Sequence, residues 1–151
     1  MILLAIDPGP KESAWLFYEP GNIRACAIED NAVILSKICV QYADWLVIEM
    51  VEGMGMPVGR ETFETVWWIG RFCQAWSPRQ FTRMGRREVK LHLCGSCRAK
   101  DQNIRQAVID KLGAPGTKRN PGVTYGMKSH LWQALGLAIV FSEQHRFQKL
   151  C

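Results

Sequence analysis

Two short apolar runs, each ending in an acidic residue, dominate the pattern of hydrophobic and polar positions. Residues 2–6 are all apolar and lead into Asp7, and the run 45–48 leads into Glu49. Continuous apolar runs of this length are typical of strands buried on both faces of a sheet. If the two strands are parallel neighbours, their carboxyl ends meet at one edge, and Asp7 and Glu49 lie together there.

Each of these acids also has a plain structural explanation. Asp7 precedes Pro8 and Gly9, so it could simply begin a turn, and Glu49 could cap a helix or pair with an arginine. Two carboxylates held close together, however, repel each other unless a cation lies between them. The pair therefore predicts a divalent-metal site, with a purely structural role as the alternative.

The remaining segments complete an α/β pattern around the two strands. The stretches Ser13–Tyr18 and Asn22–Ile28, with a turn between them, predict an antiparallel hairpin. Apolar residues at helical spacing predict four helices, over Ala32–Ala43 (where a strand is the alternative), Arg60–Trp76, Gln102–Leu112 and about Met127–His145. Leu91–Cys94 is predicted to be a short strand.

Two segments are expected to be loops. Val51–Gly59 is rich in Gly and Met and predicts a mobile loop beside the acidic pair, and Ala114–Tyr125 predicts a flexible basic connection. Asp101 is well placed to be the N-cap of the helix that follows it.

Composition limits the class of protein. With 151 residues and 48% hydrophobic content, residues 1–151 are expected to form a single domain. No apolar run approaches the roughly 18 to 20 residues of a membrane span, and no signal peptide is recognisable, so we expect a cytoplasmic protein without a membrane partner.

The six cysteines are scattered through apolar and helical contexts, which predicts reduced thiols rather than disulfides. Cys94 and Cys97 form a Cys-x-x-Cys pair with His92 nearby. A second pair of ligands at suitable spacing is missing, so the sequence does not support a structural zinc site.

Positive charge is in excess, with 19 Lys and Arg against 14 Asp and Glu and a net charge of +5. Such an excess favours a polyanionic partner, although a solvated basic face is the alternative for any one cluster. The candidates for contacts to the phosphate groups of such a partner, which are the DNA-binding residues if the partner is a nucleic acid, are Arg83, Arg86, Arg87, Lys90, Arg98, Lys118 and Arg119. The helix carrying Trp67 and Trp68 is the candidate subunit interface.

Several motifs, taken in order along the chain, resemble the RuvC family of Holliday-junction resolvases. The motifs are Leu4-Ala5-Ile6-Asp7-Pro8-Gly9 followed by a hairpin, Leu46-Val47-Ile48-Glu49, Gly95-Ser96 with Ala99-Lys100 entering a helix, and His130 followed by Ala134-Leu135-Gly136-Leu137-Ala138-Ile139. The compact length resembles phage-borne members, whose location would be the cytoplasm of a bacterial host.

This resemblance implies an α/β, RNase H-like fold, with a central mixed five-stranded sheet flanked by helices. It also implies a homodimer that acts on branched DNA with Mg²⁺ or Mn²⁺, two ions per active site, and no small-molecule cofactor. Two metals about 3.5 to 4 Å apart activate water and stabilise the charge that develops in phosphodiester hydrolysis.

Site residues follow from the resemblance by position. Asp7 is the first metal ligand, bridging both ions, and Glu49 is the second; His130 falls where the family has Asp or His on the last helix. Lys100 resembles the family's lysine near the scissile phosphate, with Asp101 as a fallback acid. Gln133 stands where the family has an acid one turn after His130, and a lone His there could instead be a structural residue.

The sequence therefore predicts a crossover-junction endodeoxyribonuclease. The alternatives are a branched-DNA-binding protein that has lost efficient cleavage, which the exchange at Gln133 favours, and an RNase H-like nuclease for flaps or RNA–DNA hybrids.

Overall fold

A computed structural model describes residues 1–40, 42–53, 55 and 57–148. The strands are β1 (Leu3–Asp7), β2 (Glu12–Glu19), β3 (Asn22–Asp30), β4 (Trp45–Met50) and β5 (Phe81–Gly85). The helices are α1 (Asn31–Ile38), α2 (Arg60–Trp76), α3 (Arg86–Cys94), α4 (Asp101–Leu112) and α5 (Leu131–Gln148).

The five strands form one sheet in the order β3-β2-β1-β4-β5. The strands β1, β2 and β3 pair antiparallel, whereas β1, β4 and β5 pair parallel, so the sheet is mixed as predicted. In the register of the central pair, Ile6 lies opposite Ile48. Asp7 and Glu49 are the next residues on these neighbouring strands, at the carboxyl edge of the sheet.

Side chains of the central strands alternate between two hydrophobic cores. Leu4 and Ile6 pack on the side covered by α1 and α2, and Leu3 and Ala5 pack on the side covered by α5. Because both faces of β1 and β4 are covered, their sequences are continuously apolar rather than alternating.

Helix α5 is enclosed by the sheet on one side and by α3 and α4 on the other. Every residue from Leu131 to Phe141 is buried. Gly136 allows this close packing, because a Cβ at that position would lie 3.1 Å from Ile104 Cγ2 and 3.2 Å from Leu93 Cδ1.

Several sequence predictions are confirmed. The predicted hairpin is formed by β2 and β3, and α2 has the predicted bounds of Arg60–Trp76. The helix predicted over Ala32–Ala43 is correct in type but ends at Ile38. All five described cysteines are free, as expected; Cys151 lies outside the described residues.

The prediction of a strand at Leu91–Cys94 is wrong, because these residues form the end of α3. Val89, Leu91 and Leu93 alternate in the sequence as in a strand. In the helix Val89 is buried and Leu93 is half-buried, one turn apart, while Leu91 is 57% exposed. The strand next to β4 is instead β5.

The segment between α4 and α5, predicted to be a flexible basic connection, contains a tight turn. Thr117 and Asn120 exchange backbone hydrogen bonds of 3.0 and 3.1 Å, and Gly116 pairs with Pro121. This turn presents Lys118 and Arg119 at its tip, and both are exposed.

The part of Val51–Gly59 that the structure describes contains no helix or strand; Met54 and Met56 lie outside the described residues. Among the described helices, none has the length and apolar character needed to cross a membrane.

Candidate active site

Asp7 and Glu49 project from the sheet toward the layer formed by α3, α4 and α5. Ala5 and Val47, two residues earlier on each strand, pack in the core on that side, and side chains two apart on a strand share a face. Asp7 is 7% exposed and the Glu49 side chain 13% exposed. The topology thus holds two carboxylates side by side at a largely buried edge.

His130 contacts the first of these carboxylates. Its Nδ1 lies 2.9 Å from Asp7 Oδ2, although the two residues are 123 positions apart in the chain. His130 was predicted in the first turn of the last helix but lies immediately before α5, which begins at Leu131. Ser129, with φ of 41°, adopts a left-handed conformation at this entry to the helix.

The hydrogen bond to Asp7 is the largest cause of a raised pKa at His130; partial burial acts in the opposite direction. When Nδ1 donates to Asp7, a neutral imidazole presents Nε2 as its lone-pair nitrogen, which is a common arrangement for a metal-binding histidine. Asp7 and His130 can therefore share a proton, as in this hydrogen bond, or present an oxygen and a nitrogen to a metal cation.

Arg86 bridges the Glu49 carboxylate and a third carboxylate, that of Asp101. Its Nη1 donates to Glu49 Oε1 at 3.1 Å, and its Nη2 donates to Asp101 Oδ1 at 2.6 Å. Arg86 is the first residue of α3 and follows directly after β5. Sequence reasoning placed Arg86 with the DNA-binding residues and missed this contact, because β5 itself was not recognised.

Glu52 fixes the start of α3. The backbone N–H of Arg87 donates to Glu52 Oε2 at 3.3 Å, so this carboxylate lies at the positive end of the helix dipole. Gly85 leaves room for it, since a Cβ there would lie 2.5 Å from Glu52 Oε1. The capping contact holds Arg86 beside Glu49.

Burial and repulsion make Glu49 hard to ionise. The pKa of Glu49 is raised to about 7, chiefly by burial and then by the charge of Asp7, while Arg86 lowers it in part. Asp101 raises it further. At neutral pH the Glu49 carboxyl is therefore only partly ionised, even with Arg86 in place.

Asp101 is the first residue of α4 rather than its predicted N-cap, which is Lys100. The backbone N–H of Lys100 donates to the Asn103 side chain at 2.8 Å, so Asn103 takes the capping role. Asp101 is released from capping and binds Arg86 instead. The Lys100 side chain is exposed beside it.

An open cleft of about 490 Å³ lies between the start of α4 and the segment that leads into α5. Asp101 and His130 border it, Gln133 lines its buried wall, and Arg105 and Lys128 add positive charge. The guanidinium of Arg105 lies 5.0 Å from the ring centre of Trp132. The cleft gives an anionic ligand direct access to His130.

The described fold is similar to solved structures of Holliday-junction resolvases. Thermus thermophilus RuvC shares 16% identity with a TM-score of 0.75, covering 98% of this chain and 97% of that one. The same protein in complex with a Holliday junction substrate shares 16% identity with a TM-score of 0.74, covering 98% of this chain and 96% of that one. The Fowlpox virus resolvase in complex with Holliday junction DNA shares 15% identity with a TM-score of 0.57, covering 94% of this chain and 99% of that one.

The chain has a RuvC-like fold. The expected RNase H-like architecture, a mixed five-stranded sheet flanked by helices, is thereby confirmed. No protein-family model matches the sequence, and no curated protein sequence matches it.

Within this RuvC-like fold, three side chains with donor atoms of the kind that bind divalent cations lie at the carboxyl edge of the sheet. Asp7, Glu49 and His130 offer carboxylate oxygens and an imidazole nitrogen at this edge, and burial followed by the charge of Asp7 raises the pKa of Glu49. Asp101 is paired with Arg86, and Gln133 is not an acid. Among the described residues, no three acidic, His or Cys side chains form a ready-made metal cluster.

The expected DNA-binding residues do not all lie on the same side. Arg83 alternates with Met84, which packs on the α5 side, so Arg83 faces the α2 side, where its charge acts on Cys73. Arg87 and Lys90 lie on α3, and Arg98 lies in the loop before α4. Arg86 belongs to the carboxylate network.

Proposed function

We propose that this protein is a metal-dependent endonuclease that cuts branched DNA, most simply by resolving four-way junctions. The observation that carries the proposal is the placement of Asp7 and Glu49 side by side at the carboxyl edge of a RuvC-like sheet, with His130 and Arg86 in contact with them. The resolvases with similar folds support junction DNA as the substrate class.

Asp7, Glu49 and His130 would hold Mg²⁺ or Mn²⁺. A bound divalent ion supplies an activated water and stabilises charge on the phosphate. The chain contributes the position of these ligands, since β1 holds Asp7, β4 holds Glu49 and the segment that leads into α5 holds His130. Lys100, exposed beside Asp101, is the candidate contact to the scissile phosphate.

Basic residues on the α3, α4 and loop side would bind the DNA backbone. Arg87, Arg98, Lys118 and Arg119 are exposed, and Lys90 is half-buried on α3. Contacts of this type position a substrate without reading its bases and weaken steeply with salt. Junction binding should therefore fall by orders of magnitude as salt rises from about 50 to 200 mM.

A homodimer suits a four-way junction, because the junction presents two symmetric strands to be cut. The outer face of α2 is apolar and exposed, with Phe63 64% exposed and Trp67 54% exposed. Arg71 covers both Trp67 and Trp68, at 4.7 and 4.4 Å from their ring centres. We propose this face as the subunit interface.

The dimer is tested by light scattering during size-exclusion chromatography. Trp67→Glu should convert a dimer into a monomer, whereas Leu91→Glu, at a similarly exposed apolar position on α3, should leave the dimer intact. A wild-type chain that is monomeric at micromolar concentration would contradict this interface.

A second candidate function is structure-specific binding of branched DNA without efficient cleavage. Gln133 favours it, because an amide on the buried wall of the cleft cannot supply the negative charge of a carboxylate.

The two functions are separated by incubating the purified chain with labelled four-way junction, flap, RNA–DNA hybrid and linear duplex, in Mg²⁺, Mn²⁺ or EDTA. Paired, symmetric cuts in the junction that require metal would support the resolvase. Preferred cutting of the hybrid or flap would assign the RNase H-like alternative, and tight junction binding with no cutting in either metal would assign the binding protein.

A further inference from the structure

Arg86 brings a permanent positive charge into the acidic site. Most of the basic residues are exposed, whereas the Arg86 side chain is 31% exposed and bound to two carboxylates. Its guanidinium lies between Glu49, on the central part of the sheet, and Asp101, at the start of α4. This is the position of a bridging cation, and a guanidinium is permanently charged.

The backbone holds Arg86 there by three independent restraints. The parallel pairing of β4 with β5 places Gly85 opposite Met50, one residue beyond Glu49. Glu52 accepts from the N–H of Arg87 and fixes the first turn of α3. Val89, one turn later, is buried in the core beneath α5. Arg86 is therefore part of the framework and not a residue of a mobile surface.

The contacts of Arg86 leave free ligands for a single divalent ion. One oxygen of Glu49 and one oxygen of Asp101 accept from the Arg86 guanidinium, so a positive charge already lies between these two carboxylates. A second divalent cation would have to displace Arg86 from them, because Gln133, on the buried wall of the cleft, offers an amide in place of a further acid.

We propose that Arg86 supplies the second positive charge of this active site, so that each chain binds one divalent cation, at Asp7, Glu49 and His130, rather than two. The proposal deepens the proposed nuclease function and rests on it. A guanidinium bonded to Glu49 and Asp101 keeps further N–H groups that can donate to a phosphate oxygen, as a second metal would otherwise do.

The number of ions is measured directly by titrating the metal-free, full-length chain with Mn²⁺ and following free Mn²⁺ by electron paramagnetic resonance. The wild type should bind one Mn²⁺ per chain, and Asp7→Asn should weaken that binding at least tenfold. Arg86→Ala should bind two, because Glu49 and Asp101 are then released as ligands. Arg86→Lys, which keeps the charge, should still bind one.

Arg24→Ala is the matched control, since Arg24 also pairs with a glutamate, Glu19, but on the exposed surface of β3. It should bind one Mn²⁺, like the wild type. At Mg²⁺ concentrations that fill only the first site, cleavage of a four-way junction by Arg86→Ala should fall about 100- to 1000-fold, the usual cost of removing one group that stabilises the transition-state charge. Circular dichroism checks that the variants are folded.

Two results would overturn the proposal about Arg86 while leaving the nuclease function intact: a wild-type chain that cuts junctions with two bound Mn²⁺, or an Arg86→Ala chain that is folded and binds only one. A wild-type chain that binds no Mn²⁺ and cuts no DNA would instead remove the proposed function itself.

Discussion

Replacing Glu49 by glutamine should make the metal-free protein more stable at alkaline pH while it abolishes cleavage. Glu49 is buried beside Asp7, and its pKa of about 7 lies above the ordinary value of 4.5. An acid with a raised pKa in the folded state costs stability when it is forced to ionise. Glutamine has nearly the same shape, keeps an oxygen for Arg86 and carries no charge.

The size of the effect follows from the pKa difference. A rise of the pKa from 4.5 to about 7, at about 1.36 kcal/mol per pKa unit, gives about 3 kcal/mol of destabilisation at pH 8. At pH 5 the folded protein keeps the proton on Glu49, and the cost falls below about 1 kcal/mol. The contribution of this group to stability therefore decreases as the pH rises from about 4.5 to about 7.

The assay is urea denaturation of wild type and Glu49→Gln, in EDTA, at pH 5 and pH 8. The variant should gain up to about 3 kcal/mol of unfolding free energy at pH 8 and much less at pH 5. Adding Mn²⁺ at pH 8 should stabilise the wild type and reduce the difference, because a bound cation removes the cost of the charge.

Glu143→Gln is a control of opposite sign. Burial raises the pKa of Glu143, but hydrogen bonds from Lys111 and His92 outweigh it, and the net pKa is lowered. Its carboxylate stabilises the fold above its ordinary pKa, so this variant should lose stability at pH 8. The reasoning about Glu49 is refuted if Glu49→Gln is less stable than wild type at pH 8, or if its gain is the same at both pH values.

Three further predictions concern other parts of the molecule. In NMR titrations without metal, the pKa of His130 should lie above 6.5 and fall in Asp7→Asn, because Asp7 is the main cause of the rise; an unchanged value would remove that contact. Leu135→Ala, in the fully buried part of α5, should cost about 2 to 5 kcal/mol in urea denaturation. Replacing Cys94 and Cys97 together by serine should leave junction cleavage within about twofold of wild type, since both thiols are half-buried and neither belongs to the network of Asp7, Glu49, Arg86 and Asp101; loss of the fold would indicate a zinc site instead.

The sequence predicts well those elements whose buried positions follow a regular pattern along the chain. β1 and β4 are covered on both faces, which leaves continuous apolar runs, and α2 carries a broad apolar stripe with clear ends. In these elements the local pattern and the tertiary packing agree.

The site was predicted only in part because its second half depends on β5 and α3. In β5 only Met84 is buried, so the alternation that identifies a strand is lost, and α3 buries only Val89. Without β5, nothing in the sequence indicates that Arg86 follows a strand that ends beside Glu49. The basic run was assigned to DNA binding as a whole, although its members face different sides of the sheet.

The role of Asp101 also could not be predicted from the sequence. An acid before a helix is an ordinary N-cap signal, and the sequence gives no sign that Asn103 fills that role. The partner of Asp101 is Arg86, on another helix, and such long-range contacts cannot be obtained from local pattern.

The most direct test of the central claim compares wild type with Asp7→Asn on a labelled four-way junction in Mg²⁺ and Mn²⁺, with junction binding measured in parallel in EDTA. Asp110→Asn, an exposed acid near the other end of α4 from Asp101, is the control. We predict paired, symmetric cuts by wild type and Asp110→Asn, and a loss of about 1000-fold in Asp7→Asn with binding retained. Equal cleavage by Asp7→Asn, or cleavage by wild type in EDTA, would contradict a metal-dependent site at this edge of the sheet.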